Sequence, residues 1–110
     1  MIELRDYVDR NGNKPFSIWF EGLDAPAAAK VAIALSRMEQ GNFSNVEGVG
    51  AGVYEYKIDF GPGYRIYFGK DGSRLIILIG GGIKKRQNKD IQTARECWAD
   101  YKHRKKREIQ

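Results

Sequence analysis

Apolar and polar positions recur along this chain with two periods, and each period marks one kind of element. From Val53 to Phe60 they alternate. Tyr54, Tyr56, Ile58 and Phe60 fall on one side of an extended chain, and Val53, Glu55, Lys57 and Asp59 on the other. Gly61-Pro62-Gly63 turns the chain back, and a second strand sets Tyr64, Ile66 and Phe68 against Arg65 and Tyr67. Lys70-Asp71-Gly72-Ser73 holds the Asp-Gly pair of a hairpin turn. Leu75 to Ile79 is apolar on both faces, as expected of a strand covered from both sides. The aromatic face is the expected core face, so Glu55, Lys57, Arg65 and Tyr67 are expected to look outward together.

Helical spacing appears before and after this block. Phe16, Trp19, Phe20 and Leu23 recur at i, i+3, i+4 and i+7 behind an Asn11-Gly12-Asn13 turn, with Pro15 suited to a first helical turn. Trp19 is read as core. Asp24 is placed to cap a second helix over Ala25 to Gln40, with Ala28, Val31, Ala32, Leu35 and Met38 on one side and Gly41 ending it. The break between the two predicts an antiparallel helical hairpin against the sheet, serving as scaffold. Ile2 to Val8 suits a short edge strand. Residues 41–52 and the glycines Gly80 to Gly82 read as loops. A last helix is expected from about Asn88, with Asp90 in its first turn and Ile91, Ala94, Trp98 and Tyr101 as a docking stripe. Lys102 to Arg107 is either a solvated helix end or a disordered tail. The sum is one α+β domain over residues 1–110, with an antiparallel sheet of about four strands, two N-terminal helices and a C-terminal helix.

Charge is distributed unevenly. The chain carries a net +5, yet residues 1–83 hold 9 Lys and Arg against 10 Asp and Glu, whereas residues 84–110 hold 10 against 4. A basic last quarter favours a polyanion, or simply solubilises a helix. The N-terminus is charged and lacks an apolar leader core, and the longest apolar run is too short to span a membrane. Cys97 is the single cysteine, so no internal disulfide is possible, and a cytoplasmic protein is the expectation.

Several chemistries lack their residues. His103 is the one histidine and sits in the basic end, which leaves Ser-His-Asp and Cys-His catalysis without a base and zinc without a ligand set. The glycines match neither a Walker loop nor a dinucleotide fingerprint, and carboxylates are scattered, so neither a metal nor a nucleotide cofactor is expected. What remains is cationic. Lys57 and Arg65 should stand opposite each other on paired strands, where like charges repel and an anion between them would relieve the repulsion. Lys84 and Lys85 follow a glycine stretch in which backbone can approach a phosphate. Such a set can clamp an RNA phosphate while the 2′-hydroxyl attacks it, given one group to take the 2′ proton and another to protonate the leaving 5′ oxygen. The plainer alternative is a polar sheet face with a Glu55–Lys57 or Glu55–Arg65 ion pair.

The runs YEYKIDFGPGYRIYF and ILIGGGIKKRQNKDIQTARECW resemble the RelE/ParE toxin superfamily, within it the HigB-like addiction-module killer proteins. The resemblance rests on Glu55 and Lys57, on Gly61 to Tyr67, and on Gly81, Gly82, Lys84, Gln87, Asp90 and Ile91, in order along most of the chain. It implies a small α+β toxin that cleaves mRNA, usually on the ribosome, and is silenced by a cognate antitoxin, expected to be a helix-turn-helix protein. Arg65 would then bind the phosphate and stabilise the transition state. Lys57 would be base or phosphate clamp, Lys84 would hold backbone or supply the acid, and Tyr67 and Gln87 would orient. Lys85, Arg86, Lys89 and Glu55 complete the expected RNA-contacting set. A superfamily Tyr or His near the C-terminus has only Tyr101 and His103 as counterparts. Two other readings stay open: a gyrase-inhibiting ParE-like toxin without catalysis, and a basic nucleic-acid-binding protein acting through its C-terminal charges.

Overall fold

A computed structural model describes residues 1–109, with the side chain of Ile109 excepted. Five strands and three helices follow in the order β1 (Glu3–Asp6), α1 (Pro15–Glu21), α2 (Ala25–Glu39), β2 (Val46–Gly48), β3 (Val53–Ile58), β4 (Tyr64–Lys70), β5 (Leu75–Ile83) and α3 (Gln87–Ile109), with one 3₁₀ turn at Lys84–Arg86 before α3. They form one sheet in the order β1-β5-β4-β3-β2. The α+β class and the arrangement of helices match the expectation. The sheet has five strands rather than four, and it is mixed rather than antiparallel, because β1 runs parallel to β5.

Both helix starts follow from the local chemistry. Pro15 sits in the first turn of α1, and the Asp24 carboxylate accepts from the Ala27 N–H at 2.9 Å to cap α2. Gly41, at φ +81°, ends α2 in a conformation that only glycine adopts without strain. The buried stripe of α2 is Ala27, Val31, Ala34 and Met38. It is turned by part of a residue spacing from the expected one, so Ala32 faces solvent. An alanine-rich helix offers little contrast between its faces, and the sheet decides which methyls are covered.

The sheet is covered on both faces. On one side Phe16 of α1 and Val31, Ala34 and Met38 of α2 pack on Tyr56, Ile58, Ile66, Phe68, Ile76 and Leu78. On the other, Ala94 and Trp98 of α3 pack on Tyr7, Val53, Tyr67, Ile77 and Ile79. The double-sided apolar character of β5 therefore has the predicted cause. The face expected to be open does not face solvent, because the amphipathic α3 needs an apolar surface and Val53, Tyr67, Ile77 and Ile79 provide it.

Two expected loops are ordered structure. Gly80, Gly81 and Gly82 extend β5, pairing with Tyr67, Ile66 and Arg65, after a one-residue register shift at Tyr67–Phe68. Their lack of side chains allows close approach: a Cβ on Gly81 would lie 2.2 Å from the Trp19 ring, and one on Gly82 would lie 2.0 Å from the Asp90 carboxylate. Residues 41–52 contain β2, which pairs with β3, and Arg95 of α3 donates from Nε to the Val49 carbonyl at 2.9 Å. Three residues with one apolar side chain give no period to read. The basic stretch Lys102 to Arg107 continues α3.

Candidate functional site

The β3–β4 hairpin and the start of α3 bring the predicted cations to one end of the sheet. Lys57 pairs across the strands with Arg65, as its position predicts. Gly63, at φ +80°, accepts from the Lys84 N–H at 2.8 Å, and its missing side chain leaves Lys84 Cβ and the Arg65 guanidinium room beside it. The result is a cleft of about 430 Å³ lined by Lys57, Arg65 and Lys84, together with Asn45, Asp59 and the Gly61-Pro62-Gly63 turn. Asp59 follows from the alternation that placed Glu55 and Lys57. Asn45 gives no sequence signal, since it lies in the stretch read as a loop.

The like-charged pair is not bare. Lys57 Nζ reaches the Glu47 carboxylate at 2.5 Å, and this hydrogen bond holds Glu47 below the usual carboxylate range. Both side chains are largely exposed, so the pair adds little stability. Arg65 turns the other way. Its Nε stands 3.9 Å from Glu55 Oε1, and Nη1 donates to the Tyr64 carbonyl at 3.1 Å. Each cation thus has its own carboxylate, which relieves the repulsion that an anion was expected to relieve.

Behind Arg65 lies a buried polar cluster. Glu55 is fully buried, Arg65 is 7% exposed and Tyr67 is 1% exposed. Gln87, the first residue of α3, donates from Nε2 to both Glu55 oxygens at 2.9 Å. Arg65 Nε and the Tyr67 hydroxyl have no hydrogen-bond partner. Burial, and then the adjacent Glu55 charge, raise the Tyr67 phenol above its ordinary range. Asp90, one turn beyond Gln87, is also raised by burial.

These placements correct the expected outward face. Alternation along β3 and β4 puts Glu55 and Tyr67 on it with Lys57 and Arg65, but α3 covers them both. Glu55 has no surface with which to touch RNA, and it can act only through Arg65 and Gln87. Tyr67 lines a different, smaller cavity with Asp90 and Cys97, so it does not join Lys57 and Lys84. Lys85 and Arg86 are exposed on the 3₁₀ turn and Lys89 on the first turn of α3, none of them lining the cleft. Gln87 does orient a charged group, and that group is Glu55.

Tyr101 and His103, the remaining superfamily counterparts, stand apart from the cleft. Tyr101 donates to Asp71 Oδ2 at 2.5 Å beside the β4–β5 turn, and His103 is exposed on α3. Among the described residues, no group of three or more His, Cys, Asp and Glu side chains is placed to hold a metal ion. No helix of the described residues is long and apolar enough to cross a membrane.

The cleft is therefore a shallow cationic seat with one carboxylate, Asp59, on its wall. It can bind a phosphate through Arg65, Lys57 and Lys84, and it can exchange protons through Asp59 and Lys84. No protein-family model matches the sequence. Over 81 residues the chain is 38% identical to an uncharacterized protein of Haemophilus influenzae (strain ATCC 51907 / DSM 11121 / KW20 / Rd), an alignment that covers 73% of this chain and 82% of the relative. On that identity and coverage, the chain belongs to the same family as this Haemophilus influenzae protein.

Proposed function

We propose that the protein is the toxin of a toxin–antitoxin pair and cuts mRNA at the Lys57–Arg65–Lys84 cleft by attack of the RNA 2′-hydroxyl on the adjacent phosphate. The observation that carries this reading is the convergence of three cations from β3, β4 and the turn after β5 on one cleft. A buried guanidinium supported from behind by Glu55 and Gln87 is pre-set in position, which is what stabilising developing phosphate charge requires. Arg65 and Lys57 bind the non-bridging oxygens. Asp59 is the carboxylate among the cleft residues, and it takes the 2′ proton as the oxygen–phosphorus bond forms. The Lys84 ammonium gives its proton to the 5′ oxygen as that bond breaks. The products are a 2′,3′-cyclic phosphate and a 5′-hydroxyl, with no metal or cofactor in the step. In this reading the protein works in the cytoplasm, on mRNA held by the ribosome, and a helix-turn-helix antitoxin silences it.

The test is expression in bacteria with primer extension on host mRNA. The wild type should arrest growth and leave discrete 5′ ends in mRNA, and Arg65→Ala and Lys84→Ala should do neither. Lys84 is exposed, so its variant keeps the fold and separates lost chemistry from lost structure. A harmless wild type, or equal mRNA cutting by a folded Lys84→Ala variant, would sink the proposal.

A further inference from the structure

The cationic cleft does not end at Lys57. A second cavity, of about 190 Å³, continues from it along the outer side of β3 to α2, and Asn45, Lys57 and Asp59 line both. Its far wall carries Lys30, Ile33 and Arg37 of α2, at i, i+3 and i+7 and so on one helical face. Lys30 and Arg37 are exposed, and Ile33 is 48% exposed. Opposite them lies Phe60, with Lys30 Nζ 5.2 Å from the centre of its ring. Besides Lys57, which Glu47 pairs, two cations, Lys30 and Arg37, face one anion, Asp59, around this second cavity.

We infer that this groove is a binding site for single-stranded RNA next to the scissile phosphate, in which Lys30 and Arg37 hold the backbone and Ile33, beside the Phe60 ring that Lys30 covers, receives a base. The inference rests on the RNA reading of the cleft. Backbone cations interleaved with an apolar and aromatic surface are the combination that single strands use, because phosphates and base faces must be held together. Two turns of helix separate Lys30 from Arg37, about 10 Å of rise. The strand therefore runs along α2 rather than across it. A duplex keeps its bases stacked inside and would leave Ile33 uncovered. On this reading α2, which the sequence marks only as scaffold, carries part of the RNA contact.

The experiment measures binding of a labelled single-stranded RNA about 12 nucleotides long, within the usual range of such sites. Its 2′ positions are methylated so that it is not cut. Affinity is followed against salt for the wild type, for Lys30→Ala/Arg37→Ala, for Lys84→Ala and for Lys106→Ala/Arg107→Ala at the end of α3. Each lost phosphate contact on a single strand lowers the salt slope by roughly 0.7. The α2 double variant should therefore bind more weakly with a slope shallower by about 1.4. A slope unchanged in the α2 variant but shallower in Lys84→Ala would overturn the groove and leave the cleft standing. A wild type that binds no RNA would overturn both. A polyglutamate peptide that loses affinity in the α2 variant while RNA does not would assign the groove to an acidic protein segment and overturn the RNA assignment. Circular dichroism of each variant checks that it is folded, and exposed helix positions should leave the spectrum unchanged.

Discussion

Gln87 places its side-chain amide across both oxygens of the Glu55 carboxylate, at 2.9 Å to each, joining the first turn of α3 to the middle of β3. Glu55 in turn faces Arg65 at 3.9 Å. A buried carboxylate with one amide donor and one guanidinium beside it loses its hydrogen bonding when Gln87 is removed. Gln87→Ala should destabilise the fold by about 2 kcal/mol, the cost of a buried charged group left without its donor. Urea unfolding of wild type and variant measures it, and a change below about 0.5 kcal/mol would show that water satisfies Glu55 instead.

The proposed chemistry predicts a separation between stability and rate. Asp59 is exposed on the cleft wall, so Asp59→Asn should leave unfolding within about 0.5 kcal/mol of wild type. Cleavage should fall by roughly a hundredfold or more, the usual range for a proton-transfer group. Single-turnover cutting of an RNA oligonucleotide reads the rate, and an unimpaired Asp59→Asn would assign the 2′ proton to another acceptor.

The glycines of β5 should respond unequally. A Cβ at Gly81 meets the Trp19 ring at 2.2 Å, whereas one at Gly80 meets nothing within 4 Å. Gly81→Ala should cost about 2 kcal/mol as Trp19 is forced off its seat. Gly80→Ala should be neutral to within about 0.5 kcal/mol. Thermal unfolding of the two side by side tests the difference, and equal effects would mean that Trp19 does not hold its place against β5.

The end of α3 should show its anchoring at both extremes of pH. Lys105, through its hydrogen bond, and then Tyr101 hold Asp71 below the usual carboxylate range. A depressed carboxylate contributes stability above its unfolded pKa, and that stability is lost as the pH falls below about 4. Burial and the bond to Asp71 push the Tyr101 phenol up to about 12. A raised phenol contributes stability that is complete below its unfolded pKa of about 10 and lost as the pH rises toward 12. Tyr101→Phe should flatten the alkaline loss and also shrink the acid loss, because Asp71 without that hydrogen bond is less depressed. Urea unfolding across pH follows both limbs, and an unchanged alkaline limb would remove Tyr101 from the account.

How much was legible in the sequence differs between elements. Asp24 announces the start of α2, and Gly41 its end, because capping and left-handed backbone depend on neighbours only a few residues away. The alternation in β3 and β4 announces the strands and puts Lys57 opposite Arg65, because the Gly61-Pro62-Gly63 turn fixes their register. β2 was not legible, since three residues carry no period and its pairing with β3 is a tertiary event.

The α+β class, the hairpin and the cations at its end all follow from local geometry and from spacing along one chain. The tertiary structure alone decided which face of the hairpin meets water. Alternation separates two faces without saying what lies on each, and α3, arriving only after β5, buries Glu55 and Tyr67 because its own apolar stripe needs cover. It also decided that Gly80 to Gly82 are strand rather than loop. The reason for glycine at Gly81 and Gly82 is the bulk of Trp19 and Asp90, which pack against them from elsewhere in the chain.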